Sequence, residues 1–284
     1  MEIISVPKPK NPTLVAVLET LYQTFKGFNG EKVRFDVSKV KWKSPLLLLP
    51  MASYIHETDS DFTLNSSDDS ESYLKCIRFP KGVNSVSSFE EMVQREKTYI
   101  PIGVLKREGG KSREQLESLF IAMVKKVLGS LHPGVHDAIS YPITELVTNV
   151  MEHSHATEGW IFGQYYPKMK YLDICIVDRG RGLSASYKEE MNAVYSDEQA
   201  IEEAMKGHST KPNKERGYGI RTSKRLVCEA MGGEFVFLSG SAVLFSNATR
   251  DRLAQLPDFH WKGTIVAYRI PQPTAPIDIY GYLE

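Results

Sequence analysis

From residue 110 to residue 271 the strand-forming segments of this chain come mostly in succession, and that order constrains the fold more than any other feature. Leu116, Phe120, Met123, Val124 and Val127 follow helical spacing, and a second helix is expected over residues 137–155. Strands are expected at 158–165 and 171–178, then a long turn-rich segment, a helix at 218–231, and strands at 234–238, 242–246 and 262–270. Consecutive strands with three helices predict an α+β sandwich, a mixed and mostly antiparallel sheet with helices on one face. Glu108-Gly109-Gly110-Lys111 is the sharpest turn-rich break, so the domains are drawn at 1–105 and 106–284.

The first of these regions reads as a smaller α/β unit. Leu14, Val17, Leu18 and Leu21 predict an amphipathic helix over 13–26, and Val33, Phe35 and Val37 alternate with charged neighbours as a half-buried strand does. Ser44-Pro45 then opens an apolar helix over 46–55, with Ser44 as N-cap and Pro45 at the first helical position. A polar stretch over 58–72 surrounds a short strand at 61–64, and further strands are expected at 73–79 and 99–105.

Acidic and basic residues cancel at 35 each, so no global charge points to nucleic acid or to a membrane surface. No apolar run approaches the roughly 18–20 residues of a membrane span. The first residues lack the basic flank of a signal peptide. Cys76, Cys175 and Cys228 are isolated, forming neither a disulfide framework nor a metal-binding pair, so a cytoplasmic protein is expected.

Four segments carry chemistry. In the helix over 137–155, Glu145, Asn149 and His153 fall within roughly an 80° arc, while Leu146, Val147, Val150 and Met151 face the core. Ser140 caps this helix with Pro142 in its first turn, or else the helix is longer and kinked. The stripe is either the wet face of an amphipathic helix or a working one. Asn149 offers an uncharged oxygen suited to Mg, and Glu145, a turn earlier, is placed to accept a proton. Next, an apolar strand runs into Asp178-Arg179-Gly180-Arg181-Gly182, where alternate glycines permit a tight turn and close approach to a ligand. Finally, Gly207-His-Ser-Thr-Lys211 and Arg216-Gly217-Tyr-Gly219 bracket a charged connector, the second leading into a helix N-terminus as anion sites do. Lys211 and Arg216 add positive charge there. Gly263-Thr264 in the last strand places a small residue and a hydroxyl together.

In this order the motifs resemble the GHKL ATPase superfamily, whose Bergerat fold is shared by gyrase, histidine kinases and anti-sigma serine kinases. Glu145, Asn149 and His153 match the N box; Asp178, Gly180 and Gly182 match the first glycine box; Gly217 and Gly219 match the second; Gly263-Thr264 matches the terminal Gly-Thr. The resemblance covers residues 110–271. It implies ATP and Mg as cofactors: Asn149 on the metal, Asp178 on the adenine amine, Gly217 and Gly219 at the phosphates, Glu145 as general base, and residues 183–216 as the ATP lid. The strand-turn-helix from Phe35 to Leu49 resembles STAS domains, the partner modules of anti-sigma kinases, with Ser44-Pro45 where that family has Asp-Ser.

Together these imply a regulatory ATP-binding protein of anti-sigma kinase type, a Ser/Thr kinase or an ATPase switch, with a protein partner and room for homodimerisation. A non-catalytic nucleotide sensor and a histidine kinase fragment are the alternatives. Neither nucleic acid nor membrane is an expected partner.

Overall fold

The computed structural model describes residues 1–28, 30–64, 70–92, 98–208 and 219–283. Its N-terminal unit begins with β1 (Glu2–Ser5), α1 (Leu14–Phe25), β2 (Val33–Asp36), α2 (Pro45–Thr58) and β3 (Asp61–Thr63). The strands form a parallel sheet in the order β1-β2-β3. Thr13 starts α1 by accepting the Ala16 N–H on its side chain at 3.3 Å, and Leu14, Val17, Leu21 and Phe25 form the buried face.

α2 explains the layout of the whole molecule. Every residue from Pro45 to Ile55 is buried, and a helix apolar all round has to be covered on all sides. It is covered by the small sheet and α1 on one side and by a large sheet on the other. Ser44 sits at the N-cap position with Pro45 after it, but its hydroxyl makes no capping bond and is itself buried, so the expected cap is positional only.

The chain continues through α3 (Ser70–Cys76), α4 (Val86–Met92), β4 (Tyr99–Lys106), α5 (Gly110–Leu128), α6 (Val135–His153), β5 (Glu158–Tyr166) and β6 (Tyr171–Asp178). It ends with α7 (Gly182–Met191), α8 (Asp197–Met205), α9 (Gly219–Arg225), a turn of π-helix, β7 (Glu234–Gly240), β8 (Ala242–Asn247), β9 (Arg250–Gln255) and β10 (Trp261–Pro271). Where a strand was expected at 73–79, α3 forms instead and ends at Cys76; Leu74 within it and Ile77 just beyond it are buried three residues apart, which is helical spacing.

Seven strands build one antiparallel sheet in the order β4-β5-β6-β10-β7-β8-β9. Alternation along the central strands divides its side chains cleanly. Ile174, Ile176, Val266, Tyr268 and Phe237 point to the face carrying α5, α6 and α9. Cys175, Val177, Ile265, Ala267 and Leu238 point to the other face and share a core with α1 and α2. Helices therefore cover both faces, not one. The expected boundary near 105 falls at the end of β4, which is an edge strand of this sheet.

Further ties cross between the units. Arg269 lies in a bidentate pair with Asp173 at 2.7 and 2.8 Å and donates to the Pro12 carbonyl at 2.7 Å. The Tyr22 hydroxyl donates to the Pro257 carbonyl at 3.0 Å, and the Phe25 and Trp261 rings meet edge-on at 5.5 Å. Among the described residues no helix is long and apolar enough to cross a membrane.

Candidate functional site

The polar stripe lies on α6, and α6 is the longer helix. It starts at Val135, runs through Pro142, and Ser140 donates to the His136 carbonyl at 2.8 Å instead of capping an N-terminus. Leu146, Val147, Val150 and Met151 are buried as expected; Glu145, Asn149 and His153 are half-buried along the opposite side. The end of the helix is anchored from the neighbouring turn: Arg181 donates to the Ser154 carbonyl at 2.7 Å through its backbone and to the His153 carbonyl at 2.7 Å through its guanidinium. Gly180 packs so closely here that a Cβ would overlap the Ser154 carbonyl oxygen, which is why the turn needs a residue without one.

Asp178 ends β6 with only 1% of its surface exposed. One carboxylate oxygen accepts the Gly180 N–H at 2.8 Å and the other accepts the Thr264 hydroxyl. Burial pushes this carboxyl up to about 6, although the bonds from Thr264 and Gly180 pull the other way. Such a group stays within reach of protonation near neutrality and, when ionised, is a buried acceptor.

A cleft open to solvent lies between α6, α9, α7 and the sheet. Asn149, His153, Asp178, Gly182, Gly219 and Thr264 all line it, above an apolar wall of Leu146, Val150, Leu183, Phe237 and Val266. Glu145 is not part of that lining but stands next to it beside Gly219, where a Cβ would overlap the Glu145 carboxylate and come within 3.6 Å of the Asn149 side-chain nitrogen. The structure thus brings Glu145, Asn149, Asp178, Gly180, Gly182, Gly219 and Thr264 together. Lys211, Arg216 and Gly217 lie outside the described residues.

The segment expected to be a turn-rich lid over 183–216 is helical in its first part. α8 begins with a full capping box, in which Ser196 accepts the Gln199 N–H at 3.2 Å and the Gln199 side chain accepts the Ser196 N–H at 2.9 Å. Ala200 and Ile201 then bury against the sheet. α7 is fixed by the Leu183 N–H donating to the Ser239 hydroxyl at 2.9 Å, and the Tyr187 hydroxyl donates to the His208 carbonyl. Ser186, Tyr187 and His208 add to the cleft lining and were not anticipated; the Ser-x-x-Gln box was the readable signal for α8. Ser186 also leaves its buried hydroxyl without a hydrogen bond among the described residues.

Chemically, the cleft offers an apolar slot for a flat ring, a buried carboxylate acceptor at its inner end, and an amide oxygen suited to a hard cation. The Ser186 hydroxyl, without a hydrogen bond among the described residues, and the close-approach glycines fit a polar, ring-bearing ligand.

Residues 134–273 match the family of histidine kinase-, DNA gyrase B-, and HSP90-like ATPases, a span that opens one residue before α6 and closes after β10. No curated protein sequence is similar enough to the chain to count as a match.

Proposed function

From a chain that carries a histidine kinase-, DNA gyrase B-, and HSP90-like ATPase domain at residues 134–273, and with it the ATP binding that this domain implies, we propose a Mg-dependent regulatory switch of anti-sigma kinase type. The observation that carries the reading is the cleft itself. A buried, hydroxyl-bonded carboxylate, Asp178 with Thr264, stands at one end, and the Glu145/Asn149 stripe meets Gly219 at the other.

In this reading Asp178 accepts the adenine amine and Thr264 holds the carboxylate in place. Asn149 contributes its amide oxygen to Mg. Gly219, with Gly217, lets the backbone approach the phosphates, and Lys211 and Arg216 add charge there. Bound ATP with Mg supplies a transferable phosphoryl group and the cation that offsets its charge. Glu145 receives the proton of the attacking hydroxyl or water on its carboxylate. The N-terminal unit, with its β2-turn-α2 segment, serves as a STAS-like regulatory module in a cytoplasmic protein, and the phosphoacceptor is a Ser or Thr of a protein partner.

The test is incubation with γ-labelled ATP and Mg, with and without cell extract, alongside equilibrium binding. Asn149→Ala should lower Mg-supported ATP affinity by about 100-fold, the upper range for loss of groups that build a metal site. Unchanged binding would remove Asn149 from the metal. ATP binding with no hydrolysis and no labelled protein under any condition would make the chain a nucleotide sensor, not a kinase.

A further inference from the structure

The walls of the base end of the cleft are joined by a residue that does not belong to the ATPase domain. The β6–β10 ladder stops at the pair Val177–Ile265, and the β10–β7 pairing is irregular between Trp261 and Thr264. Asp178 and Thr264 therefore lie just past the last β6–β10 pair; each is still paired on its outer side, Asp178 with Gly159 and Thr264 with Ser239, but not with the other. Their mutual distance rests on further contacts. Thr264 bonds the Asp178 carboxylate, and the Trp261 indole N–H donates to the Asp178 carbonyl at 3.2 Å.

Behind these contacts stands Glu57, in the last turn of α2. One of its oxygens accepts from Arg179 Nε at 2.5 Å, and the other accepts from Lys262 Nζ at 2.7 Å. Arg179 is the residue after Asp178, and Lys262 is two residues before Thr264, so one carboxylate grips both strand ends. The Arg179 guanidinium lies 4.3 Å from the Trp261 ring centre and 5.2 Å from that of Tyr54, which also comes from α2. Its side chain is 13% exposed, so this pair is shielded where most surface pairs are not. Burial alone would raise the Glu57 carboxyl, but Lys262 and Arg179 outweigh it and hold it below its usual value.

We propose that Glu57 is a positioning residue for base recognition: from the N-terminal unit it sets the distance between Asp178 and Thr264 by holding Arg179 and Lys262. The inference rests on the reading that Asp178 receives the adenine amine. It makes adenine selectivity a property of both units, since displacement of α2 releases the turn that reads the base.

The test uses the full chain and compares equilibrium binding of ATP, GTP and inorganic tripolyphosphate, all with Mg. Glu57→Gln should weaken ATP roughly five- to tenfold, the lower range of ordinary coupling between sites, and reduce the preference for ATP over GTP. Tripolyphosphate, which has no base, should bind as to the wild type. Lys262→Met should move ATP in the same direction by less, and the double variant should be no worse than Glu57→Gln alone. Glu57→Asp should recover part of the selectivity. A wild-type ATP-to-GTP ratio in Glu57→Gln would overturn the proposal, as would an equal loss for tripolyphosphate and ATP. Should Glu57→Gln fail to fold, Lys262→Met decides on a side chain that is 61% exposed, and an unchanged ratio there is equally fatal. A wild type that does not distinguish ATP from GTP, with Asp178→Asn behaving identically, would overturn the base-reading role of Asp178 and this inference with it.

Discussion

The two ends of the cleft are built on glycines that face different things. At the base end, Gly180 presses on the Ser154 carbonyl and Gly263 on the Asp178 carbonyl, backbone against backbone. At the stripe end, Gly219 presses on the Glu145 carboxylate, the far end of a flexible side chain. Backbone cannot step aside without moving its helix or strand, whereas a glutamate can rotate. The base end is therefore a fixed surface that defines which ring fits, and the stripe end is adjustable. That division suits a site that must hold one ligand and act on it.

The largest expected effect lies at the adjustable end. Glu145→Gln should retain ATP and lower hydrolysis or transfer by roughly 10²–10⁴-fold, the usual range for a general base. Single-turnover rates measure this, and a rate equal to the wild type removes Glu145 from the chemistry. At the fixed end, Asp178→Asn should cost ATP roughly tenfold relative to GTP, because a buried acceptor becomes in part a donor. Competition binding with both nucleotides reads it, and equal losses would mean that the carboxylate supports the turn and reads no base.

The glycines themselves sharpen the comparison. Gly180→Ala should lower the melting temperature by several degrees, about 2–4 °C for each kcal/mol of strain in a chain of this size. Gly219→Ala should leave melting almost unchanged while slowing turnover, since Glu145 gives way. Similar thermal shifts for the two would erase the distinction between the ends.

The smallest effect is that of pH. The Asp178 carboxyl is pushed up to about 6 by burial, above its ordinary 3.8. Folding thus favours its protonated form. The stability it contributes to the apo chain is fully present below about 3.8 and is lost as pH rises through about 6. An adenine amine needs the ionised form, so ATP affinity should fall as pH drops below 6, by at most about tenfold per unit. An ATP affinity flat from pH 7 to 5 in a folded sample would contradict the assignment.

Much of the stripe and of the base turn was legible because both are local. Asn149 and Glu145 share a helix face through spacing alone, and Asp178 stands where an apolar strand meets alternate glycines. Thr264 stood out through Gly263-Thr264, but its bond to Asp178 was not legible, nor were Trp261 and Ser239, since all three reach the turn only through strand pairing across 50 or more residues, and Glu57 comes from another unit. α8 was hidden by its polar composition although its capping box was present in the sequence. β9 left no alternation to read, because both of its faces are largely exposed. α2 was recognised as apolar, but nothing local told that its second side is the large sheet.

That second side also governs how the chain meets other chains. With α1 and α2 on one face of the seven-stranded sheet and α5, α6 and α9 on the other, neither face is open for another sheet to stack upon. At the β9 edge, exposed Arg250, Asp251 and Arg252 put charges where a neighbouring strand would have to pair, and Asp251 is already held by Lys224 at 2.5 Å. Addition of a strand from another chain at the β9 edge is thereby opposed.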